Sequence, residues 1–424
     1  MKVLWLTNKV LPAVATAAGI SNRVVNEGWI SGIFESLSDK DDIDLNILCG
    51  WKGDFRFGKN TFFNWYLYPE NEIDEYTYSS IQENLFFEVL NKVNPDIIHI
   101  WGSEYPHSLA MLNAAKRHGI ERRVVVWIQG LISACSLPYY YYAGVPEKVI
   151  NKQTLYDLIL KTGIKSQQKK FSKRGKYEIE LLENISHCIG RTMWDKRYVM
   201  SINPHINYHS CNETLRECFY DGIWKFEKCN KYTIFFSQAS YPLKGFHILL
   251  KAMPIILKHY PETKIRVSGY DIMGLNSLVG FLKLKGYGRY LRDLVLQYDL
   301  GSKIVFTGRL SAEDMKLEYL NSNVFVSSSS LENSSNSIGE AMLLGTPTVI
   351  SQVGGTESII DYNLETDSFK NLNSEQLAKA VINVFSDVET AQKKASLARL
   401  HAMKTHDKIK NLNTLVYIYN LIVK

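Results

Sequence analysis

The 424-residue sequence lacks several signatures by which protein classes are recognised. Its six cysteines form no C-x-x-C pair, which disfavours a zinc or dithiol site and predicts reduced thiols. No apolar run approaches the roughly 20 residues that span a bilayer. The first residues carry one lysine and a short apolar run that ends at Asn8, unlike a secretory signal. We therefore expect a cytoplasmic protein.

A strong excess of charge of one sign is also missing. The chain has 49 Lys and Arg against 43 Asp and Glu, and a net charge of +6 is too small and diffuse to indicate nucleic-acid binding. The G-x-G-x-x-G fingerprint is absent, which argues against a nicotinamide-dependent redox enzyme. No D-x-D metal signature follows a predicted strand. We expect neither a metal nor another cofactor.

The sequence does contain short apolar runs that alternate with helical patterns. This alternation is typical of parallel sheets built from βαβ units. The pattern predicts an α/β protein with two Rossmann-like, doubly wound domains that face a central cleft. Residues 1–205 form the predicted N-terminal domain and residues 206–405 the second. The last segment, 406–424, is predicted as a helix that crosses back to the first domain. The predicted strands lie at 3–7, 45–49, 64–68, 97–101, 124–128, 233–237, 264–269, 303–308, 324–328 and 346–351.

The stretch LENSSNSIGEAMLLGTPTVISQVGG carries the most specific chemistry. A strand is predicted to lead into a loop with Glu332, and a helix then runs from about Asn336 to Gly345. The free N–H groups of a helix start suit a phosphate, whereas carboxylates suit neutral hydroxyls. A ligand with phosphate in the middle and hydroxyls at both ends would fit this arrangement. A nucleotide sugar, with its sugar, diphosphate and ribose, is such a ligand. The alternative is a capping box, in which Ser337 and Glu340 merely close the helix start.

This ordered combination resembles the retaining glycosyltransferases of family 4, which have the GT-B arrangement of two Rossmann-like domains. Their E-x7-E motif matches Glu332 to Glu340, and the EAM, Gly-x-Pro and Gly-Gly elements follow in order. The resemblance implies that Glu332 binds donor-sugar hydroxyls and has a catalytic role, whereas Glu340 binds ribose hydroxyls. It also implies donor contacts from the backbone of a polar loop that departs from the usual Gly-Phe-Gly pattern: Ser334 and Ser335 toward the sugar, Asn336 and Ser337 toward the distal phosphate.

A lysine at a strand-to-helix turn is the second donor-side candidate. Lys244 in PLKGFHILLKAM places an ammonium where a diphosphate leaves, which is a catalytic role, although a surface lysine is the alternative. The family usually has an Arg shortly before this Lys, and here Gln238 stands at that position. Arg309 or Arg191 is a candidate replacement for the missing cation.

The predicted N-terminal domain contributes further candidates after its strands. Gly19 follows the first strand and permits close backbone approach, although it is equally a plain turn residue. Gln129 takes the position where the family often has a donor-contacting His. Glu104 and His107 are acceptor-side candidates, with packing the stronger interpretation for His107.

Positive charge concentrates between 151 and 200, which hold 11 Lys and Arg against 5 Asp and Glu. Seven of these residues are interleaved with apolar ones: Lys161, Lys165, Lys169, Lys170, Lys173, Arg174 and Lys176. The alternatives are a solvated helix face and a patch that meets anionic lipid at the inner membrane face.

The sequence as a whole predicts a retaining, metal-independent hexosyltransferase. It would move a sugar from a nucleotide-diphosphate sugar to a glycan or a lipid-diphosphate-linked glycan in polysaccharide biosynthesis. A sugar-nucleotide epimerase or phosphorylase of the same architecture is one alternative. A non-catalytic partner that binds a nucleotide sugar is the other, and Gln238 and Gln129 favour it slightly.

Overall fold

The computed structural model describes residues 1–20, 28–38, 40, 42–70, 75–275 and 278–424. These residues form two compact units. Unit 1 contains Met1–Ala134, Phe171–Arg216 and Thr405–Lys424, and unit 2 contains Cys135–Lys170 and Glu217–Lys404. This division differs from the predicted boundaries mainly at Cys135–Lys170, which groups with unit 2. Residues 21–25 of the predicted link after the first strand lie outside the described residues.

Within the described ranges, fourteen strands build two sheets. They are β1 (Lys2–Thr7), β2 (Asp44–Trp51), β3 (Arg56–Lys59), β4 (Phe63–Pro69), β5 (Ile97–Trp101), β6 (Val124–Trp127), β7 (His187–Gly190), β8 (Asn207–Ser210), β9 (Asn230–Phe236), β10 (Lys264–Val267), β11 (Ile304–Phe306), β12 (Ser322–Ser327), β13 (Thr348–Ser351) and β14 (Asp367–Phe369).

Helices connect the strands in both units. They are α1 (Pro12–Ala17), α2 (Gly28–Ser38), α3 (Ser80–Val93), α4 (Pro106–His118), α5 (Ile132–Cys135), α6 (Pro138–Tyr141), α7 (Glu147–Ile150), α8 (Leu155–Leu160), α9 (Ile164–Asn184), α10 (Met193–Ile202), α11 (Phe246–His259), α12 (Leu278–Leu282), α13 (Gly286–Gln297), α14 (Ala312–Asn321), α15 (Asn336–Leu344), α16 (Ser374–Ser386), α17 (Val388–Thr405) and α18 (Lys408–Val423). Among the helices in the described ranges, none is both long and apolar enough to cross a bilayer.

Unit 1 is an eight-stranded sheet in the order β3-β4-β2-β1-β5-β6-β7-β8. All neighbours pair in parallel except the β3–β4 hairpin. The strand order reverses between β1 and β5, which makes their carboxyl ends the topological switch point of this sheet. The last helix, α18, belongs to this unit because Tyr419 is fully buried in its core. The Tyr419 hydroxyl accepts from Trp5 Nε1 at 3.0 Å and lies 2.5 Å from His99 Nδ1.

Unit 2 is a six-stranded, wholly parallel sheet in the order β11-β10-β9-β12-β13-β14. This order is that of a doubly wound dinucleotide-binding fold, and its switch point lies between β9 and β12. The central strand β12 is buried at every residue, as expected of a parallel strand covered by helices on both faces. The predicted α/β class with two parallel-sheet domains is therefore confirmed.

The predicted strands agree with the observed ones to within a few residues, and β5 agrees at both ends. Four strands were not predicted: β3, β7, β8 and β14. Each has only three or four residues, and β8 reads NYHS, too polar for its pairing to show in the sequence. Strand pairing rather than local hydrophobicity defines these strands.

Candidate functional site

The switch point of unit 2 brings together two loops that lie far apart in the sequence. One loop follows β9 and contains Lys244, and the other follows β12 and contains Glu332. Lys244 Nζ lies 2.6 Å from Glu332 Oε1. Both side chains keep partial exposure, 23% and 12%, so the pair is held in place but remains reachable by a ligand.

Electrostatics keep Lys244 protonated. Burial lowers the pKa of Lys244, but the neighbouring Glu332 carboxylate and its hydrogen bond raise that pKa more, so the net pKa is well above the ordinary value. The ammonium is therefore present throughout the physiological pH range. A cation at a switch point is chemically suited to a diphosphate.

Serine hydroxyls fix the loop after β12. Ser329 Oγ donates to Glu332 Oε1 at 2.6 Å, and Ser351 Oγ donates to the Ser329 carbonyl at 2.6 Å. Ser328 Oγ donates to the Gly245 carbonyl at 2.9 Å, which ties this loop to the one that contains Lys244. The carboxylate of Glu332 is thus oriented by its own loop before any ligand binds.

Two glycines permit the close approach of backbone segments in this site. Gly354 has φ +54°, and a Cβ there would lie 2.1 Å from the Glu332 carbonyl oxygen. Gly355 N–H donates to that same carbonyl at 2.9 Å. Gly245 has φ +69°, and its Cβ would lie 1.8 Å from the Ser328 carbonyl oxygen. Both positions require glycine for sterics as well as for backbone conformation.

Helix α15 begins at the site with an N-terminus that its own side chains leave open. Within the described residues, the side chain of the N-cap Ser335 accepts no hydrogen bond from the first-turn N–H groups, and the first turn has no acidic residue. The Ser335 hydroxyl instead lies 3.2 Å from that of Ser337. By contrast, Ser311 and Asn373 cap α14 and α16 in the usual way. The first turn of α15 is therefore suited to an anion.

The capping-box alternative is wrong. A capping box needs its Glu three residues after the N-cap. The N-cap is Ser335 rather than Ser337, and Glu340 is the fifth residue of α15, where it is buried with 5% exposure. Capping therefore does not explain why the Glu340 carboxyl is buried in this helix.

The remaining donor-side candidates of unit 2 lie along the same sheet edge. Gln238 follows β9, is exposed, and its Nε2 donates to Ser240 Oγ at 3.2 Å. Arg309 follows β11 and is also exposed. Ser334 is half-buried and precedes the N-cap of α15. Since all these strands are parallel, the residues lie on the side of the sheet where the strands have their carboxyl ends. Arg309 follows β11, which is two strands away from β9.

Unit 1 places its own candidates at the carboxyl ends of β5 and β6. Glu104 Oε1 accepts from Gly130 N–H at 2.8 Å, and burial raises the pKa of Glu104. Gln129 is half-buried in the same loop as Gly130. His107 lies in the first turn of α4 and stacks on Tyr105, with ring centroids 5.7 Å apart. Burial lowers the pKa of His107 to about 3, so the ring is neutral, which supports packing rather than proton transfer.

Gly19 and Arg191 also lie in unit 1. Gly19 is exposed with φ +65°, and a Cβ there would meet nothing within 4 Å. Only its backbone conformation favours glycine. Arg191 has 3% side-chain exposure and is ion-paired with the equally buried Glu213. It also donates to the Gln129 carbonyl at 3.0 Å, which corrects the expectation that Arg191 replaces the missing phosphate clamp.

A buried carboxyl that the sequence did not indicate lies beside Glu104. Glu178 of α9 is fully buried and accepts from Ser103 Oγ at 2.5 Å and from Ser133 N–H at 2.7 Å. Burial is the main reason that its pKa rises to about 7, and the charge of Glu104 adds to the rise. The sequence pattern hid Glu178 because it lies among the exposed charges of an amphipathic helix.

The basic stretch is less uniform than predicted. Arg174 is buried at 7% exposure, donates to the Glu104 carbonyl at 2.6 Å and lies over the Tyr105 ring. It therefore stabilises unit 1 and does not contribute to a basic surface. Lys161, Lys165 and Lys169 are exposed, as predicted for such a surface.

Comparison with known proteins places the site of unit 2 in a recognised family region. Residues 223–401, which include Lys244, Glu332 and Glu340, match the family described as glycosyl transferases group 1. The candidate glycosyltransferase YtcC of Bacillus subtilis is 31% identical over 176 residues. That alignment spans 41% of this chain and 41% of YtcC, so the similarity concerns about two fifths of each protein.

Solved structures resemble the whole chain in fold. Sucrose-phosphate synthase from Thermosynechococcus elongatus has a TM-score of 0.69 at 14% identity, with 100% of this chain and 99% of that chain covered. HepE from Anabaena, in complex with UDP and glucose, has a TM-score of 0.65 at 14% identity, with 99% of each chain covered. At 14% identity these likenesses concern the fold, which is the GT-B fold.

Proposed function

We propose that this protein transfers a sugar from a nucleotide-diphosphate sugar to an acceptor hydroxyl. The observation that carries the proposal is the Lys244–Glu332 pair at the switch point of unit 2, in the same loop system as the uncapped start of α15. A cation and free N–H groups suit the diphosphate, and a carboxylate held by Ser329 suits the neutral hydroxyls of the sugar.

Each group has a distinct role in this proposal. The first-turn N–H groups of Asn336 and Ser337 bind the distal phosphate, and Lys244 stabilises the negative charge that grows on the leaving diphosphate. Glu332 binds the sugar, with help from the backbone of Ser334 and Ser335. Glu340 binds the ribose hydroxyls, the role that the E-x7-E resemblance implies for the second glutamate.

Retention of the anomeric configuration is part of the proposal and is supported by the resemblance of the E-x7-E motif. The acceptor oxygen bonds to the anomeric carbon on the face from which the diphosphate departs. The acceptor proton passes to the leaving phosphate oxygen, so proton and charge both end on the nucleoside diphosphate. This path requires no protein nucleophile and no metal.

The neighbours guide the choice of substrate. HepE was solved in complex with UDP and glucose and also in complex with UDP-glucose. We therefore propose a UDP-hexose as the first donor to test, with Gln129 and Gly19 on the donor side. For the acceptor we propose a glycan or lipid-diphosphate-linked glycan of polysaccharide biosynthesis, with Glu104 and His107 on the acceptor side. We also propose that a fraction of the protein is bound at the membrane surface.

A thermal-shift screen against UDP-, GDP- and ADP-sugars tests donor binding. At about 100 times its dissociation constant, a ligand that binds only the folded state stabilises it by about 2.7 kcal/mol, or roughly 5–10 °C for a domain of this size. The donor that shifts the transition is then incubated with acceptors, and release of nucleoside diphosphate is measured. The absence of a shift with all three donor classes would contradict the proposal.

A non-catalytic nucleotide-sugar-binding role is the second candidate, because neutral Gln238 stands where the family usually has an Arg. The same screen followed by the release assay separates the two functions. Binding without nucleoside diphosphate release, with any acceptor, would favour the binding role. Gln238→Arg is expected to raise turnover if a second phosphate cation is what the site lacks.

A further inference from the structure

Helix α8 exposes apolar side chains, whereas a surface helix normally turns its apolar side toward the core. Four of its six residues are large and aliphatic, and all four are open to solvent: Leu155 at 81%, Leu158 at 58%, Ile159 at 78% and Leu160 at 48%. We call these four residues the α8 patch. Single exposed apolar residues are ordinary, whereas a contiguous group of them marks an interaction surface.

The contacts and burial of Asp157 show how α8 is oriented. Thr154 and Asp157 form a complete capping box, and Thr162 Oγ1 donates to Asp157 Oδ1 at 3.0 Å. Asp157 is almost fully buried at 1% exposure, and a Cβ on Gly286 of α13 would lie 3.1 Å from its carboxylate. The polar side of α8 thus faces the protein, and its apolar side faces outward.

The segment that contains the α8 patch is rich in positive charge. Segment Cys135–Lys170 has two acidic residues, Glu147 and the buried Asp157, against six lysines. Five of the lysines are exposed and the sixth, Lys170, is half-buried. The six are Lys148, Lys152, Lys161, Lys165, Lys169 and Lys170.

This charge decides between the two surfaces that would cover an apolar patch. A second copy of the chain would bring the same lysines against these lysines, and the like charges would repel. An anionic lipid surface attracts each lysine and accepts apolar side chains at the boundary between headgroups and acyl chains.

We propose that the α8 patch and the lysines of segment Cys135–Lys170 dock on an anionic lipid bilayer. Leu155, Leu158 and Ile159 enter the boundary between headgroups and acyl chains, and the lysines bind lipid phosphates. The binding is peripheral and reversible because one short helix buries little apolar surface and the lysine contribution is screened by salt. This inference goes beyond sugar transfer and does not depend on it.

The docking surface is attached to unit 2 by backbone carbonyls of its own segment. Ser330 Oγ donates to the Tyr140 carbonyl at 2.7 Å, His247 Nε2 lies 3.0 Å from the Ala143 carbonyl, and Lys251 Nζ donates to the Gly144 carbonyl at 3.0 Å. Ser330 stands two residues before Glu332. Membrane docking would therefore hold the unit that contains the candidate donor site at the lipid surface.

Flotation of the full chain with vesicles tests the proposal without any nucleotide sugar. The probes are vesicles of phosphatidylcholine alone and of equal parts phosphatidylcholine and phosphatidylglycerol. We expect binding to the anionic vesicles only, and loss of most binding between 0.1 M and 1 M salt, where the Debye length falls from about 10 Å to about 3 Å. Equal binding to both vesicles, or no binding at low salt, would overturn the proposal.

Two variants separate the apolar from the electrostatic contribution. Leu158→Ser with Ile159→Ser is expected to weaken partitioning about tenfold or more, as is Lys161→Gln with Lys165→Gln and Lys169→Gln. Matched controls use exposed residues elsewhere in unit 2: Leu364→Ser with Leu400→Ser, and Lys379→Gln with Lys393→Gln and Lys404→Gln. These controls should bind as the wild type does.

Further outcomes would refute the apolar role. If the Leu158/Ile159 variant binds anionic vesicles as tightly as the wild type, the α8 patch does not enter the lipid. If the wild type dimerises in sedimentation and this variant does not, a second copy covers the patch instead. Thermal unfolding should be unchanged in every variant because the substituted side chains are exposed. Nucleotide-sugar binding is measured separately, so failure of the proposed transferase function would leave the vesicle result intact.

Discussion

Substitution of Gly354 by alanine tests whether the Gly-Gly turn after β13 positions Glu332. The new Cβ would lie 2.1 Å from the Glu332 carbonyl oxygen, whereas ordinary van der Waals contact begins at 3.4 Å. The Glu332 backbone or the turn must therefore move by about 1 Å. Misplacement of this size near a reacting centre lowers the rate by roughly a hundredfold.

Gly345→Ala is the matched control. Gly345 ends α15 with φ +69°, close to the +54° of Gly354, but the nearest atom to its added Cβ lies 3.7 Å away. Both substitutions place alanine in the left-handed region, which costs about 1–2 kcal/mol. This cost corresponds to roughly 2–8 °C in the melting temperature of a domain of this size.

The assay compares turnover with stability in the two variants. Turnover is measured as nucleoside diphosphate release from the donor found in the screen, and stability as the thermal midpoint of each purified protein. We expect both variants to melt at lower temperature, Gly354→Ala more so, and only Gly354→Ala to lose about a hundredfold in kcat. Equal kcat values in the two variants would refute the positioning of Glu332 by the turn.

Three further predictions follow from the buried and paired charges. In steady-state kinetics, Lys244→Ala should lower kcat about a hundredfold with a small change in KM, since the charge that Lys244 meets grows in the transition state. The control Lys258→Ala, at an exposed lysine, should change neither kcat nor KM. In calorimetry, Glu340→Gln should weaken UDP and UDP-sugar binding alike by about tenfold, and Glu332→Gln should weaken the UDP-sugar more; equal losses in both variants would refute these roles. Glu178 has a folded-state pKa of about 7 against an ordinary value of 4.5, so the folded state binds more protons than the unfolded state between these values, and stability falls as pH rises through them. Glu178→Gln should remove up to about 3 kcal/mol of that fall in denaturant titrations from pH 5 to pH 8, and an unchanged pH profile would show that Glu178 titrates normally.

Much of the fold could be predicted because parallel strands are recognisable one at a time. Buried strands such as β5 are short apolar runs, and the predicted strand at 97–101 agrees with β5 at both ends. Helix α15 was also predicted closely, since Gly345 supplies the left-handed C-cap that ends it. The edge strand β8 was missed because its residues are polar and only pairing with β7 defines it.

The candidate site was predictable in its residues but not in its contacts. The E-x7-E spacing and the Lys-Gly turn are visible in the sequence. The alternative roles of Ser337 and Arg191 were equally plausible there, because a capping box and a free cation are local patterns. The structure excludes the capping box because α15 has its N-cap at Ser335 rather than Ser337. It argues against Arg191 as a free cation because Arg191 is ion-paired with Glu213.

The sequence by itself determined the alternation of strands and helices, the absence of a membrane-length apolar run, and the glutamates on either side of a helix start. These are local properties, set by side-chain periodicity and capping. Only the tertiary structure decided that Lys244 and Glu332, 88 positions apart, lie within 2.6 Å. It also decided that segment Cys135–Lys170 packs with unit 2 and leaves the α8 patch exposed. The physical reason is that strand order and segment packing arise from long-range pairing and burial, which no local pattern encodes.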